Sequence, residues 1–347
     1  MLFDLPSDAT LYDALVARDP AWDGRAWVAV TSTGIFCRLT CPAPKPKPEN
    51  CRFHDSVAAC LEAGFRPCKR CHPLTTGQEP QVAFLLNALE ADPERRWSEE
   101  DVAAEGFDPS TIRRAFRRQF GMTFLAMARL RRLGRGAQAL RDGGAVIEAQ
   151  LAADFDSASG FREAFARHLG VVPGRLQKDA LLQADWIDTA LGPMIAVASR
   201  THLHLLEFAD RPALPRELQG LRVEAKGSLG LGRLPPTDRI ETELGAFFSG
   251  ASSDFRTPLE PGGTPFQRTV WEALRAIPAG RTRSYGTLAR DIGRPDASRA
   301  VARANGANRL AIVIPCHRVI GADGSLTGYG GGLWRKRKLI EVERAFA

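Results

Sequence analysis

Six of the seven cysteines of this 347-residue chain lie between Cys37 and Cys71. Four of them form two close pairs, Cys37-x3-Cys41 and Cys68-x2-Cys71, with 26 residues between the pairs. Two such pairs are typical of a tetrahedral zinc site with thiolate ligands. The sequence therefore predicts one Zn²⁺ ion held by Cys37, Cys41, Cys68 and Cys71.

Other residues near these pairs leave alternatives open. Cys51, His54 or His72 could replace one of the four cysteines, whereas Cys60 lies in a helical stretch and is expected to be a packing residue. A zinc site that only stabilises a small domain is the simplest alternative to one that takes part in chemistry. Residues 1–10 carry no basic segment of the kind that begins a secretion signal, so a reducing compartment and free thiols are expected.

The overall composition indicates several domains and a polyanionic partner. A chain of 347 residues exceeds what one core usually contains, and its 44% hydrophobic and 25% charged residues are ordinary for globular domains. The net charge of +7 favours a nucleic-acid partner. No apolar stretch is long enough to span a membrane, so we expect a cytoplasmic, nucleoid-associated protein with no membrane partner.

Two helix–turn–helix patterns follow a polar linker that begins at Glu79. In the first, Ser98 is a helix N-cap, residues 106–110 form the turn, and residues 111–120 form the second helix. Nine arginines and no acidic residue occur from 111 to 141, and four of them lie on that second helix: Arg113, Arg114, Arg117 and Arg118. This density favours contact with DNA phosphates over a merely solvated face. The second pattern has its helix at 158–169 and is only weakly basic.

Between about 185 and 255 the sequence changes to short apolar runs. Runs such as 194–197 and 203–208 predict strands, and residues 231–237 form a loop rich in glycine and proline. His202 and His204 alternate with apolar residues and are expected on an exposed strand face rather than as ligands. No catalytic constellation is evident in this part of the sequence.

A single cysteine stands near the C-terminus, directly before a histidine. The β-branched run at 311–314 predicts a buried strand that ends at Pro315, because proline cannot donate a ladder hydrogen bond. Cys316 should then lie at the mouth of a core, next to His317. On this pair alone, an inert packing cysteine is as good an interpretation as a nucleophile.

Further motifs surround this thiol. They are Thr264-Pro265-Phe266-Gln267, Ser284-Tyr285-Gly286, Ser298-Arg299-Ala300-Val301, Asn308, Pro315-Cys316-His317-Arg318-Val319 and Gly328-Tyr329-Gly330-Gly331-Gly332. In order and spacing they resemble the motifs of the O6-alkylguanine-DNA alkyltransferases. The resemblance implies that Cys316 accepts an alkyl group from DNA and acts once, because a thioether has no easy leaving path.

The same resemblance implies roles for other residues. Water joins Cys316 to His317 and Glu343 orients the imidazole, since a thiol with a pKa of about 8.5 needs such help. The target nucleotide must leave the base stack to reach a buried thiol. The remaining roles fall to Tyr285, which donates a proton or hydrogen bond to the leaving guanine, Asn308, which braces the active-site turn, Arg299, which fills the space of the extruded nucleotide, and Val319 and Tyr329, which line the base pocket.

Two N-terminal segments, 33–38 and 64–71, closely resemble the methyl-acceptor domain of the Ada adaptive-response family. The resemblance implies that Cys37 is both a zinc ligand and the acceptor of a methyl group from a DNA phosphotriester, with Thr33 and Arg66 at the DNA. The zinc ion is then structural and also activates the nucleophile. The paired helix–turn–helix patterns resemble AraC-type regulators. Two departures from the family patterns are a Pro42-Ala43-Pro44 run before Lys45, where arginine is frequent, and Arg309, where proline is frequent.

These features predict a multidomain α+β chain with four parts. They are a small α/β zinc-binding methylphosphotriester acceptor domain (1–78), an all-α AraC-type helix–turn–helix region (79–180), a ribonuclease-H-like companion domain (181–260), and a helical O6-alkylguanine-DNA methyltransferase domain with winged-helix-like DNA binding (261–347).

The expected function is single-turnover DNA repair coupled to transcriptional activation of the alkylation response. Methyl groups pass from O6-methylguanine to Cys316 and from methylphosphotriesters to Cys37. The expected partners are double-stranded DNA and, during activation, RNA polymerase, and a monomer is expected. One alternative is an alkylation- or zinc-sensing regulator without efficient base repair, suggested only by Arg309. A Cys–His hydrolase is disfavoured, because no third triad residue or oxyanion motif is evident.

Overall fold

The computed structural model describes residues 5–19, 22–71, 73, 80–177 and 179–346. The chain divides into two compact units, Met1–Phe84 with Ile320–Thr327 (unit 1) and Leu85–Val319 with Gly328–Ala347 (unit 2). His72 and the linker that begins at Glu79 lie outside the described residues. Among the residues that are described, no helix is long and apolar enough to cross a membrane.

Unit 1 is built on a four-stranded sheet. Its strands are β1 (Trp27–Val30), β2 (Ile35–Arg38), β3 (Cys51–His54) and β4 (Arg66–Pro67), and its helices are α1 (Asp8–Ala17) and α2 (Val57–Glu62). The strand order is β3-β1-β2-β4, with β1 antiparallel to β2 and β3 and with β4 parallel to β2. The strands predicted on either side of residues 31–33 are confirmed.

Helices α3 to α8 contain both helix–turn–helix motifs. They are α3 (Pro80–Ala91), α4 (Glu99–Ala104), α5 (Pro109–Phe120), α6 (Phe124–Arg141), α7 (Val146–Ala152) and α8 (Ala158–Leu169). Ser98 caps α4 in a capping box with Asp101, and Asp108 caps α5, whose first position is Pro109. Gly121 ends α5 in the left-handed conformation, which a residue without Cβ adopts at little cost. The predicted second helices of both motifs are confirmed.

A second sheet lies in the middle of unit 2. Its strands are β5 (Leu182–Ile187), β6 (Met194–Ala198), β7 (Leu203–Phe208) and β8 (Leu229–Leu231), and helices α9 (Leu214–Glu224) and α10 (Pro235–Phe248) follow β7 and β8. The order is β7-β6-β5-β8, and only the β5–β8 pair is parallel. The predicted loop at 231–237 is shorter than expected, because Pro235 and Pro236 begin α10, where proline is tolerated. His202 and His204 are half-buried rather than exposed.

This second sheet is covered on both faces. Ile195, Val197 and Leu205 pack in one core with residues of α6, α7 and α8. Met194 and Ala196, which alternate with them along β6, belong to the core that contains Cys316. The helix–turn–helix region and the C-terminal helices therefore bury opposite faces of one sheet.

The C-terminal part is mainly helical. Its elements are α11 (Pro265–Arg275), β9 (Arg283–Ser284), α12 (Tyr285–Asp291), α13 (Ser298–Gly306), β10 (Val319–Ile320) and α14 (Leu333–Glu343). The predicted strand at 311–314 is wrong, because these residues form a turn in which Ile312 has a φ of 72°. The Asn308 side chain accepts from Leu310 N at 3.0 Å and donates to the Ile314 carbonyl at 2.9 Å. These local bonds satisfy backbone groups that a ladder would otherwise use.

Candidate metal centre and candidate active site

Unit 1 brings Cys37, Cys41, Cys68 and Cys71 together. Their sulfur atoms all lie within 4.8 Å of one another, and Cys41 Sγ lies 3.9 Å from Cys68 Sγ. Tetrahedral zinc with Zn–S bonds of about 2.3 Å spaces its sulfurs about 3.8 Å apart. Cys37 lies on β2, and Cys68 N donates to the Phe36 carbonyl at 3.0 Å, so the pairing of β4 with β2 closes the cluster.

In the absence of a cation, the pKa values of three of these thiols are shifted in opposite directions. A hydrogen bond with Cys71 and burial raise the pKa of Cys37 far above its ordinary value, and the same hydrogen bond lowers the pKa of Cys71 to about 5. Burial also raises the pKa of Cys41 to about 11. A divalent cation removes this conflict because it stabilises every thiolate at once. Four sulfur donors at this spacing fit zinc.

The alternative ligands do not belong to this group of sulfurs. Cys51 Sγ donates to the Lys47 carbonyl at 3.4 Å, and neither Cys51 nor His54 joins the cluster found among the described residues. Cys60 is fully buried with Trp27 and Phe36, as expected of a packing residue.

Exposed polar residues stand near the cluster. Thr33 and Arg66 are both exposed, and Arg66 N donates to the Gly34 carbonyl at 2.8 Å, which places the two residues near one another. Lys45 is half-buried, and burial lowers its pKa while the charges of Cys41 and Cys37 oppose that change. A cation therefore stands beside the cluster although the arginine frequent in the family is absent.

The first helix–turn–helix motif presents a basic face. One side of α5 is buried through Ile112 and Phe116, while its other side exposes Arg113, Arg114, Arg117 and Arg118. Arg132 on α6 is instead buried, and it donates to the Asp154 carbonyl at 2.7 Å. The arginine run from 111 to 141 is thus not a single solvated face, and its exposed charge is concentrated on α5.

Cys316 begins a short 3-10 helix, Cys316–Arg318, directly after the turn at 311–314. Only 7% of this residue is exposed, and Asn308 Nδ2 donates to its Sγ at 3.3 Å. Burial raises the pKa of the thiol to about 11, while the bond from Asn308 opposes the rise. The thiol is therefore protonated at rest, and it is held by a donor that can stabilise its thiolate.

His317 is fully buried and forms a pair with Glu343. Its Nε2 atom lies 2.8 Å from Glu343 Oε1. Burial favours the neutral carboxyl, but His317 and Arg318 outweigh it and lower the pKa of Glu343 to about 2, while burial lowers the pKa of His317. A neutral imidazole beside a carboxylate carries its proton on Nε2, so Nδ1 presents a lone pair. Within the described part of the chain, Nδ1 has no hydrogen-bond partner.

Three other predicted residues belong to the same region. Tyr285, Val319 and Tyr329 pack in the hydrophobic cluster that contains Cys316. The Tyr329 hydroxyl is buried and makes no hydrogen bond to any residue described here, while the ring lies 6.4 Å from that of His317. Arg299 is exposed near the start of α13, whose other side is buried through Val301. Tyr285, Val319 and Tyr329 therefore lie in the core around the buried thiol, whereas Arg299 lies on the exposed side of α13.

Two charged residues near the thiol were missed in the sequence. Arg318 Nη2 donates to Glu343 Oε1 at 2.7 Å, and Lys336 Nζ donates to the Val319 carbonyl at 2.5 Å. Burial lowers the pKa of Lys336 to about 8. Lys336 lies in a run of four basic residues, 335–338. In the sequence such a run looks the same as a solvent-exposed helix face, so the burial of Lys336 could not be predicted.

The fold and the two sites define a class of protein in which a four-thiolate zinc domain, two helix–turn–helix motifs and a buried Cys–His–Glu centre share one chain. Residues 10–73 match the metal binding domain of Ada, residues 102–179 a helix-turn-helix domain, and residues 265–345 the DNA binding domain of 6-O-methylguanine DNA methyltransferase. The chain is 34% identical to the bifunctional transcriptional activator/DNA repair enzyme Ada of Escherichia coli, over 97% of this chain and 96% of that protein. It therefore belongs to the Ada family.

Other relatives cover all or part of the chain. The regulatory protein ada of Salmonella typhimurium is 34% identical over 94% of each chain. The protein in the crystal structure of Mycobacterium tuberculosis O6-methylguanine methyltransferase is 40% identical in sequence to this chain. The match covers 48% of this chain and 94% of that protein, with a TM-score of 0.42. The family match over 10–73 and the four-cysteine cluster together identify a site for one Zn²⁺ ion.

Proposed function

We propose that this protein repairs alkylated DNA by moving methyl groups onto two of its own cysteines and that it activates transcription of the alkylation response. The observation that carries the proposal is the centre at Cys316, where Asn308 holds the sulfur and the buried His317–Glu343 pair leaves Nδ1 unprotonated. Membership of a family whose relatives are named as DNA repair enzymes and transcriptional activators supports both activities.

The proposed reaction at Cys316 begins with loss of the thiol proton through water to Nδ1 of His317. Glu343 stabilises the imidazolium that results. The thiolate attacks the methyl carbon of O6-methylguanine, so an S–C bond forms while the C–O6 bond breaks and its electron pair passes to the guanine. Tyr285 supplies a proton or a hydrogen bond to that guanine. The thioether product is stable, so Cys316 reacts once.

Delivery of the base to this thiol requires extrusion from the duplex. Cys316 is 7% exposed, so a stacked base cannot bring its O6 atom to the sulfur. We assign the base pocket to Val319 and Tyr329 and the filling of the vacated stack to Arg299. The exposure of Arg299 on α13 supports that role.

In unit 1 we propose that Cys37 takes a methyl group from a DNA methylphosphotriester. Bound Zn²⁺ would keep the four thiolates deprotonated at neutral pH. The exposed Thr33 and Arg66 would contact the DNA backbone beside Cys37. The promoter would be bound mainly by the basic face of α5, formed by Arg113, Arg114, Arg117 and Arg118.

The finer architecture is part of the same proposal. The four domains would be 1–78, 79–180, 181–260 and 261–347, with a ribonuclease-H-like companion domain around β5 to β8 and winged-helix-like DNA binding in the last domain. The sheet of β5 to β8 with helices α9 and α10 supports the ribonuclease-H-like domain. Helices α11 to α13 support winged-helix-like DNA binding. We further propose a monomer that works on chromosomal DNA in the cytoplasm, at the nucleoid, and contacts RNA polymerase when it activates.

The contacts of Arg309 give no support to the alternative of a regulator without efficient base repair. Its Nε donates to the Pro261 carbonyl at 3.2 Å and its Nη1 lies 3.5 Å from Glu224. Asn308 donates to the Ile314 carbonyl and to Cys316 Sγ, so the turn is held in place with arginine at position 309. A hydrolase is also disfavoured, because His317 Nδ1 makes no hydrogen bond to the thiol among the described residues.

The proposal is tested by mapping where methyl groups arrive. The full-length protein is incubated with duplex DNA that carries labelled methyl groups on guanine O6 and on phosphates, and peptides are then analysed by mass spectrometry. Label is expected on the peptides that contain residues 37 and 316 and nowhere else. A Cys316→Ala variant should lose only the second. Absence of label at 316 in the folded wild-type protein would refute base repair.

A further inference from the structure

Arg211 lies just after β7 and is 7% exposed. Its Nη1 donates to the Asn308 carbonyl at 2.9 Å, and its Nη2 donates to the Gly306 carbonyl at 3.0 Å. The guanidinium also pairs with Glu207, and with Glu217 at 3.1 Å. One buried side chain of the central sheet domain therefore binds the backbone of the turn that carries Asn308.

The backbone of β7 holds the same turn from its other end. Leu206 N donates to the Arg309 carbonyl at 2.9 Å, and Ala311 N donates to the Leu206 carbonyl at 2.8 Å. Asn308 is thus fixed on both sides by the strand and by Arg211. Its amide can keep one orientation toward Cys316 Sγ, 3.3 Å away, only while this backbone is fixed.

Arg211 also touches the glycine-rich segment next to Tyr329. A Cβ atom placed on Gly330 would lie 2.9 Å from Arg211 Nε and 3.0 Å from Arg211 Cζ. Gly330 does not have a positive φ, so the backbone itself would accept alanine. The requirement for glycine comes from the guanidinium, whose Nε and Cζ atoms occupy the space that a Cβ atom would need.

From these contacts we infer that Arg211 is a positioning residue that sets the nucleophile and the base pocket together, with Gly330 as its matched partner. The inference rests on the proposed reaction at Cys316 and adds a residue outside the alkyltransferase motifs. Lysine cannot replace it, because two carbonyls and two carboxylates need the several N–H donors of a planar guanidinium. The same guanidinium offsets the charge of one glutamate, and burial raises the pKa of the other, Glu207, to about 8.

The test uses the full-length protein and the free base O6-benzylguanine, which needs no extrusion. The rate constant at saturation and the half-saturating concentration are measured separately for wild type, Arg211→Lys and Gly330→Ala. The exposed neighbour Arg216, changed to Lys, is the matched control. The urea unfolding transition of the full-length protein is recorded for every variant as a measure of folding.

Arg211→Lys should lower the saturated rate about tenfold, the effect of one lost hydrogen bond to a charged group. Gly330→Ala should mainly raise the half-saturating concentration, and it should cost much less in the Arg211→Lys background, because the shorter and more flexible lysine side chain can move away. Every variant should be folded under the assay conditions, and the Arg216→Lys rates should match wild type.

Wild-type rates in Arg211→Lys would overturn the inference. If that variant is unfolded under the assay conditions, Gly330→Ala decides the matter, and wild-type kinetics in Gly330→Ala would overturn the inference equally. A wild-type protein that methylated DNA never labels at residue 316 would instead refute the proposed function, which is a separate observation.

Discussion

The Nε2 atom of His317 lies 2.8 Å from Oε1 of Glu343, and neither side chain is more than 1% exposed. Arg318 also contacts the carboxylate of Glu343. The negative charge of Glu343 is therefore balanced while the imidazole of His317 stays neutral at rest. The centre has a vacant acceptor at Nδ1 and a protonated thiol at Cys316.

The first prediction concerns the thiol. Because burial raises the pKa of Cys316 to about 11, the thiolate fraction of the DNA-free protein should grow about tenfold per pH unit from pH 7 to 10. The rate of Cys316 alkylation by iodoacetamide, measured on the peptide that contains residue 316, should follow it. A plateau near neutral pH would show a preformed thiolate and contradict this assignment.

The second prediction is a pH dependence of stability. The folded pKa of Glu343 is about 2 against an ordinary value of 4.5, so its contribution is complete above 4.5 and is lost as the pH falls toward 2. Glu343→Gln should cost about 3 kcal/mol more at pH 7 than at pH 2, from the size of that pKa shift. Urea unfolding at both pH values measures the difference. Glu341→Gln, two residues away and partly exposed, should show little change, and equal behaviour of the two variants would argue against a paired Glu343.

The third prediction separates extrusion from chemistry. Arg299→Ala should slow repair of O6-methylguanine in duplex DNA by about tenfold or more, because extrusion costs a few kcal/mol, and it should leave the reaction with free O6-benzylguanine unchanged. Arg303→Ala, which removes another exposed arginine of α13, is the control. Equal losses on both substrates would exclude a role in the base stack.

The fourth prediction concerns the metal. Cys41→Ser should weaken zinc binding and unfold the described sheet of unit 1, because thiolate binding energy is also folding energy in a small domain. Cys51→Ser, at a buried cysteine outside the cluster, should keep one equivalent of zinc. Zinc content and the reaction with O6-benzylguanine are measured together, and the latter should survive in both variants. Native stability of unit 1 after complete zinc removal would contradict the assignment.

The fifth prediction links the two activities. Zinc with four thiolates has a formal charge of −2, and a thioether at Cys37 changes it to −1. Near a DNA phosphate this removes repulsion of about 1 to 4 kcal/mol, which corresponds to roughly tenfold tighter promoter binding or more. Methylated and unmethylated protein should be titrated against promoter DNA at two salt concentrations. Identical affinities at low salt, where screening is weakest, would exclude a charge switch.

The sequence predicts those parts of the molecule that depend on local signals. Caps at Ser98 and Asp108 and the spacing of the cysteines suffice for the helix–turn–helix motifs and the zinc cluster. The turn at 311–314 is different, because β-branched residues favour a strand and the hydrogen bonds of Asn308, β7 and Arg211 override that preference. Burial of Glu343 is equally hidden, since it depends on Arg318 and His317 arriving from a distant segment. Long-range charge pairing of this kind has no periodic signature.

The sheet formed by β5 to β8 has a consequence for inheritance. Helices α6, α7 and α8 of the regulatory region share one face of this sheet with α9, so a gene cut near codon 180 would leave Ile195, Val197 and Leu205 packed only against the part of that core that follows the cut, including Leu214, Leu218 and Leu221. Recombination between relatives could exchange unit 1 more easily than it could exchange either covering of this sheet. A repair protein that lacks the regulatory helices should therefore have polar side chains on the part of this face that α6, α7 and α8 cover here.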